Sequence, residues 1–244
     1  MFPLKDNLRC LAFAWVTVSL IVLNCGAYLW EMVQLGAGNS AALAKFLMVP
    51  GLVMAAIHGG DPTALKDAIV SVFGAMFMHG GLMHLIGNMV FLFTFGKAVE
   101  NRLGKGWFLG FYLLSGIAAA AAQIGSNPAS MTPMLGASGA IAGVLGAYLL
   151  LWPKADITGY IFPVFVVRIR AYWFLIAWFV MQLLPIFASS SSTSSGGGVA
   201  YWAHVGGFLA GIIMAGIARV IRPESDVCYV PSDCPPCDAN GGSK

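Results

Sequence analysis

Apolar residues in this chain come in long blocks, and polar residues gather in the short stretches between them. Six blocks approach the roughly 20 residues that a helix, rising 1.5 Å per residue, needs to cross about 30 Å of hydrocarbon. They predict spans at about 10–33, 79–97, 106–124, 136–152, 171–188 and 199–219. The first run is about twice the length of a signal-peptide core and lacks a small-residue cleavage site, so it reads as a permanent span. The apolar run leading into the second begins at Ala68 and is interrupted by Gly80-Gly81. The segment Ala42–Ile57, broken by Pro50-Gly51, is too short to cross and reads as interfacial. The expected fold is an all-α, polytopic membrane protein with a six-transmembrane-helix bundle. No internal repeat of the kind many transporters carry is evident.

Composition agrees with that solvent: 59% of residues are hydrophobic and 9% charged, with a mean hydropathy of +0.81. Charge then orients the spans. Of thirteen Lys and Arg residues, six spans put all but Lys45 and Lys66 on one side. Cytoplasmic loops collect Lys and Arg, so both termini are expected inside, with 34–78, 125–135 and 189–198 outside. The net charge of +3 follows from this loop asymmetry and gives no reason to invoke nucleic acid. The chain divides into a short cytoplasmic N-terminus (1–9), one membrane domain (10–222, with its long outer loop 34–78) and a flexible cytoplasmic tail (223–244). Within the outer segments, Ser126–Pro133 is a turn-rich approach to the fourth span and Ser189–Gly198 a polar linker.

An ionisable or polar side chain inside hydrocarbon needs a partner and marks function by default. Such residues are few: His79, His84, Asn88, Gln123, Ser138, Gln182 and His204. The fourth and sixth spans both enter from outside, which sets Ser138 and His204 level, about one turn below the same surface. Ser138 stacks over Ala142 beside Gly139, Gly143 and Gly146, and His204 over Gly207 and Gly211. Small-residue faces let helices approach closely, within reach for an imidazole to activate a serine hydroxyl. The alternative is a serine bonded to its own helix and a histidine held by another polar group.

His84 and Asn88, at i and i+4, share a helical face. Both can donate hydrogen bonds to an oxyanion, or simply glue two helices together. None of the ten acidic residues falls inside the five later spans, and only Glu31, Asp61 and Asp67 lie on the outer side. A dyad is therefore expected rather than a triad. Gln123 and Gln182 read as interhelical hydrogen-bonders, and His58 as an exposed loop residue.

The series His79-Gly-Gly-Leu-Met-His84-Leu-Ile-Gly-Asn88, Glu100-Asn-Arg-Leu-Gly104, Gly136-Ala-Ser138-Gly139 and Ala203-His204-Val-Gly-Gly207-Phe-Leu-Ala-Gly211 resembles the rhomboid intramembrane serine proteases in order and spacing, over about 40–222. The resemblance implies a Ser138–His204 dyad, with His84 and Asn88 assisting the oxyanion. It also implies cleavage of a peptide bond in or near a single-pass transmembrane substrate, with no metal or cofactor. Two departures stand out. Many relatives carry an aromatic residue four positions after the nucleophile, where this chain has Ala142. Some carry a Trp-Arg pair in the first outer loop, whereas 37–78 holds neither residue.

Two other classes remain open on the residues alone. One is a non-cleaving, chaperone-like relative that binds membrane helices. The other is a small transporter in which His79, His84 and His204 line a path or hold zinc, although no HExxH motif accompanies them. In the tail, Cys228, Cys234 and Cys237 fall one ligand short of a four-coordinate site. The expected setting is the plasma (inner) membrane of a bacterium, with the active site toward the outer face. The substrate and the oligomeric state are not legible.

Overall fold

The structure is a computed structural model that describes residues 2–10, 12–161, 165–188, 199–221 and 227–229. Helices stand at all six predicted spans: α1 (Trp15–Gly36), α5 (Leu82–Leu103), α6 (Lys105–Ser126), α7 (Ser138–Leu151), α8 (Ala171–Ala188) and α9 (Tyr201–Ile221). Between α1 and α5 lie α2 (Ala41–Ala44), α3 (Pro50–Gly59) and α4 (Pro62–Ala75). Of the six, α1, α5, α6 and α9 are long and apolar enough to cross a membrane on their own. Helix α7 has 14 residues, about 21 Å at 1.5 Å per residue. The linker Ser189–Gly198 lies outside the described residues, as does the tail apart from Val227–Tyr229.

Helix α7 is the axis of the bundle. Ten of its residues, Gly139 through Tyr148, are buried, as expected of a helix that is apolar on every side. It contacts α5, α6, α8 and α9, most extensively α9. Glycines set that closeness. A Cβ at Gly207 would run into the Gly139 carbonyl oxygen, one at Gly211 into that of Gly143, and one at Gly146 into that of Phe208. The outer surfaces of the peripheral helices are apolar and exposed, with Val22, Leu29 and Val33 on α1, Trp173, Val180, Leu184 and Phe187 on α8, and Ile213, Ile217 and Val220 on α9. Such a belt is stable only against lipid.

The fold departs from the sequence reading at the Lys- and Arg-rich end. A three-stranded antiparallel sheet, in the order β1-β3-β4, joins β1 (Phe2–Asp6) to β3 (Asp156–Ile161) and β4 (Phe165–Arg170). A second ladder pairs β2 (Leu8–Cys10) with β5 (Val227–Tyr229). Helix α1 therefore starts at Trp15 rather than near residue 10, and Cys10 is a strand residue. Tyr148 Oη donates to Asp6 Oδ2 at 2.8 Å, which ties the sheet to the axial helix. Burial pushes the Asp6 carboxyl above its ordinary value, and the Tyr148 hydroxyl acts against that rise.

The second span is also displaced from the expected 79–97: α5 starts at Leu82 and runs past Lys97, taking Glu100, Asn101 and Arg102 into its last turns. A carboxylate is tolerated there because α1 supplies its partners. Glu100 is 2% exposed and accepts from Val16 N at 2.9 Å, Thr17 N at 2.7 Å and Thr17 Oγ1 at 2.8 Å. Asn101 Oδ1 accepts from Ala12 N at 2.9 Å. Glu100 thus caps α1 across the helix pair, pairing orphan amides with a charge of favourable sign. Glu100→Ala strands these donors and is expected to cost about 3 kcal/mol, read as a lower midpoint in thermal unfolding. Glu100→Gln, which keeps an acceptor, should lose less.

Candidate active site

Ser138 begins α7 because the chain turns sharply before it. Gly136 has φ +125°, a conformation open to glycine, and its N–H donates to Ala75 O at 2.7 Å at the end of α4. A Cβ at Gly136 would meet His84 Cε1 at 2.8 Å, His84 Nε2 at 3.0 Å and Ser138 Oγ at 3.6 Å. The glycine therefore serves twice, making the turn and leaving a space between the serine hydroxyl and the His84 ring. As the first residue of its helix, Ser138 also has a backbone N–H without an intrahelical acceptor.

His204 lies in the first turn of α9 and is 7% exposed. Its Nε2 is 2.8 Å from Ser138 Oγ, and its Nδ1 is 2.8 Å from Gln182 Oε1 on α8. The Trp178 ring, one turn earlier on α8, lies beside the imidazole with centroids 5.8 Å apart. Gln123 Oε1 accepts from Ala203 N at 3.3 Å and so fixes the start of α9 against the end of α6. Ser138, His204 and His84 line one cavity of about 710 Å³, whose wall also includes Gln123, Ser130 and Thr132.

The other candidates fall around this group. Asn88, one turn along α5 from His84, is buried below the cavity and does not line it, and its Nδ2 has no partner among the described residues. His79 is fully buried with its ring against that of His84, centroids 5.3 Å apart. Its N–H donates to Glu31 Oε2 at 3.1 Å, and its Nδ1 lies 3.2 Å from Phe77 O. Glu31 thus holds the loop before α5 instead of touching His204. His58 is exposed at the end of α3. Among the described residues no three His, Cys, Asp or Glu side chains gather as a metal site would need. Trp178 carries no signal in the sequence beyond its i, i+4 spacing from Gln182.

A part-buried serine hydroxyl bonded to an imidazole, at a helix N-terminus and on the wall of a roomy cavity, is the kind of arrangement that serine nucleophiles use in membrane proteins and in soluble ones. The family follows from comparison: the Rhomboid domain model matches residues 66–220, and the chain belongs to the rhomboid family. Rhomboid protein 1, mitochondrial, of Saccharomyces cerevisiae is 32% identical over 59% of this chain and 40% of its own length. Presenilin-associated rhomboid-like protein A, mitochondrial, of Danio rerio is 33% identical over 41% and 27%. Rhomboid protease GluP of Bacillus subtilis is 44% identical over 30% and 14%. Each match covers less than half of the relative's length. Mitochondrial proteins stand beside a Bacillus one in this set, so it does not support the expected bacterial plasma membrane. An integral membrane protein is what family and hydropathy together establish.

Proposed function

We propose that this protein is an intramembrane serine endopeptidase that hydrolyses a peptide bond in or near the transmembrane segment of a single-pass membrane protein, using Ser138 and His204. The observation that carries this reading is the 2.8 Å approach of Ser138 Oγ to His204 Nε2 inside the cavity. Ser138 Oγ attacks the carbonyl carbon as its proton passes to His204 Nε2, which then protonates the leaving amine. Water, deprotonated by the same nitrogen, cleaves the acyl-enzyme. The Ser138 N–H and His84 face the space where the carbonyl oxygen becomes an anion. Because carbonyls inside a helix are already bonded, the substrate must present an unwound peptide. That favours helix-weakening residues near the cleaved bond.

Orientation follows from the charges. Lys5, Lys154, Arg168 and Arg170 lie on or beside the sheet strands β1, β3 and β4, at the far end of α7 from Ser138. In our reading the termini face the Lys- and Arg-rich compartment, and the catalytic end opens on the opposite face, where water enters. The test is cleavage of a tagged single-span substrate by reconstituted full-length chain, with a serine-directed probe read in parallel. Substrate capture without cleavage, together with an unlabelled Ser138, would replace this reading with the helix-binding one.

The oxyanion assignment makes its own prediction. His84→Ala is expected to lower kcat about 100-fold with KM little changed, the size of one lost oxyanion donor. Asn88→Ala should lower kcat by a smaller factor, because Asn88 lies beneath the cavity wall. Steady-state kinetics on the reconstituted substrate separate the two constants. A rise in KM alone would return both residues to a packing role.

A further inference from the structure

We infer that Gln182 is a positioning residue for His204: it selects the imidazole tautomer in which Nδ1 carries the proton and Nε2 is bare toward Ser138. The inference rests on the serine-protease reading above and goes beyond it by naming what orients the base.

The argument runs through the amide. Gln182 Nε2 donates to the Trp178 carbonyl oxygen at 3.1 Å. A backbone carbonyl only accepts, so it fixes the NH2 end of the amide on that side. The other end, Oε1, then faces His204 Nδ1 at 2.8 Å. An amide oxygen also only accepts, so Nδ1 must be the protonated nitrogen. In a neutral imidazole that leaves Nε2 as an acceptor, 2.8 Å from Ser138 Oγ, which is the form able to take the serine proton. Flipping the amide would set two acceptors against each other at Trp178 and two donors at His204 if Nδ1 kept its proton.

The surroundings leave this task to Gln182. Ala142 is fully buried within the α7–α9 contact and has no ring to lay under the imidazole. Trp178, on the same face of α8 as Gln182, supplies one from the side. Of the groups that approach His204, Ser138 comes from α7, His84 from α5 and Gln123 from α6, and Gln182 and Trp178 from α8. Among them only Gln182 offers an acceptor to Nδ1, and that acceptor is uncharged. An imidazolium formed during attack is therefore stabilised by a dipole where many serine hydrolases use a carboxylate.

The test uses full-length protein with 15N-labelled histidine, reconstituted in bicelles, with His204 assigned by its loss in His204→Gln. In the wild type the His204 resonances should report a protonated Nδ1 and a bare Nε2. Gln182→Leu should give a mixture of tautomers and lower kcat roughly 10-fold, the order that one buried hydrogen bond supports, with KM little changed. Gln182→Glu, which keeps an acceptor at the same place, should restore the Nδ1-protonated form. A wild type protonated at Nε2, or a Gln182→Leu variant with the wild-type tautomer, overturns the inference whether or not the protein cleaves. The expected tautomers in a chain that cleaves nothing would instead sink the protease reading and leave the positioning role standing.

Discussion

Ser138→Ala is expected to lower kcat/KM by at least about 10⁴-fold, and His204→Ala by a similar factor. Tenfold corresponds to 1.36 kcal/mol of transition-state stabilisation, so the loss amounts to roughly 5 kcal/mol. The reason lies in the proposed mechanism, in which Oγ makes the bond to carbon, and Nε2, 2.8 Å away, carries the proton first away from the serine and then to the leaving amine. Removing either atom removes the same step. The double variant should therefore be no worse than either single one, which is the signature of groups that act as a unit. Binding of a single-span substrate should persist in both, because neither side chain accounts for much of the cavity wall. The measurement is initial-rate cleavage in proteoliposomes, alongside substrate capture by the uncleaving variants. Equal cleavage by wild type and Ser138→Ala would remove the serine from the reaction.

Much of this site is legible in the sequence because helices turn spacing into geometry. Polar residues are rare enough in the apolar blocks that Ser138, His204, His84 and Asn88 draw notice singly, and the glycine rows beside Ser138 and His204 show which faces meet. What is not legible depends on contacts between distant segments. The β1-β3-β4 sheet forms from a five-residue strand and two six-residue strands about 150 positions away, and nothing local to Phe2–Asp6 specifies that pairing. The burial of Glu100 depends on the orphan amides of α1, which sit 83 and 84 positions earlier. Gln182 is visible as a polar residue in a span, but its partner depends on how α8 is rotated in the bundle. The same holds for Trp178. The departure at Ala142 is readable as the loss of an aromatic support, while its compensation from a different helix is not.

The second large effect is expected where no side chain exists. In hydrocarbon there is little hydrophobic gain from helix association, so close packing of α7 on α9 must supply much of the stability. Gly211 sits against Gly143, and its missing Cβ would collide with backbone alone: the carbonyl oxygen, carbonyl carbon and Cα of that residue. Backbone in a buried helix cannot turn aside as a flexible side chain can. Gly211→Val must therefore push α9 off α7, at a cost of about 3 kcal/mol or more, and His204, on the same helix two turns away, moves with it. Stability and cleavage should fall together, which distinguishes this variant from Gln182→Leu. Gly216→Ala is the matched control, since a Cβ there meets only Leu150 Cδ2 at 3.7 Å, ordinary van der Waals contact. It should keep wild-type thermal stability and activity. A Gly211→Val chain as stable and as active as wild type would mean that the α7–α9 contact is not what sets the Ser138–His204 distance.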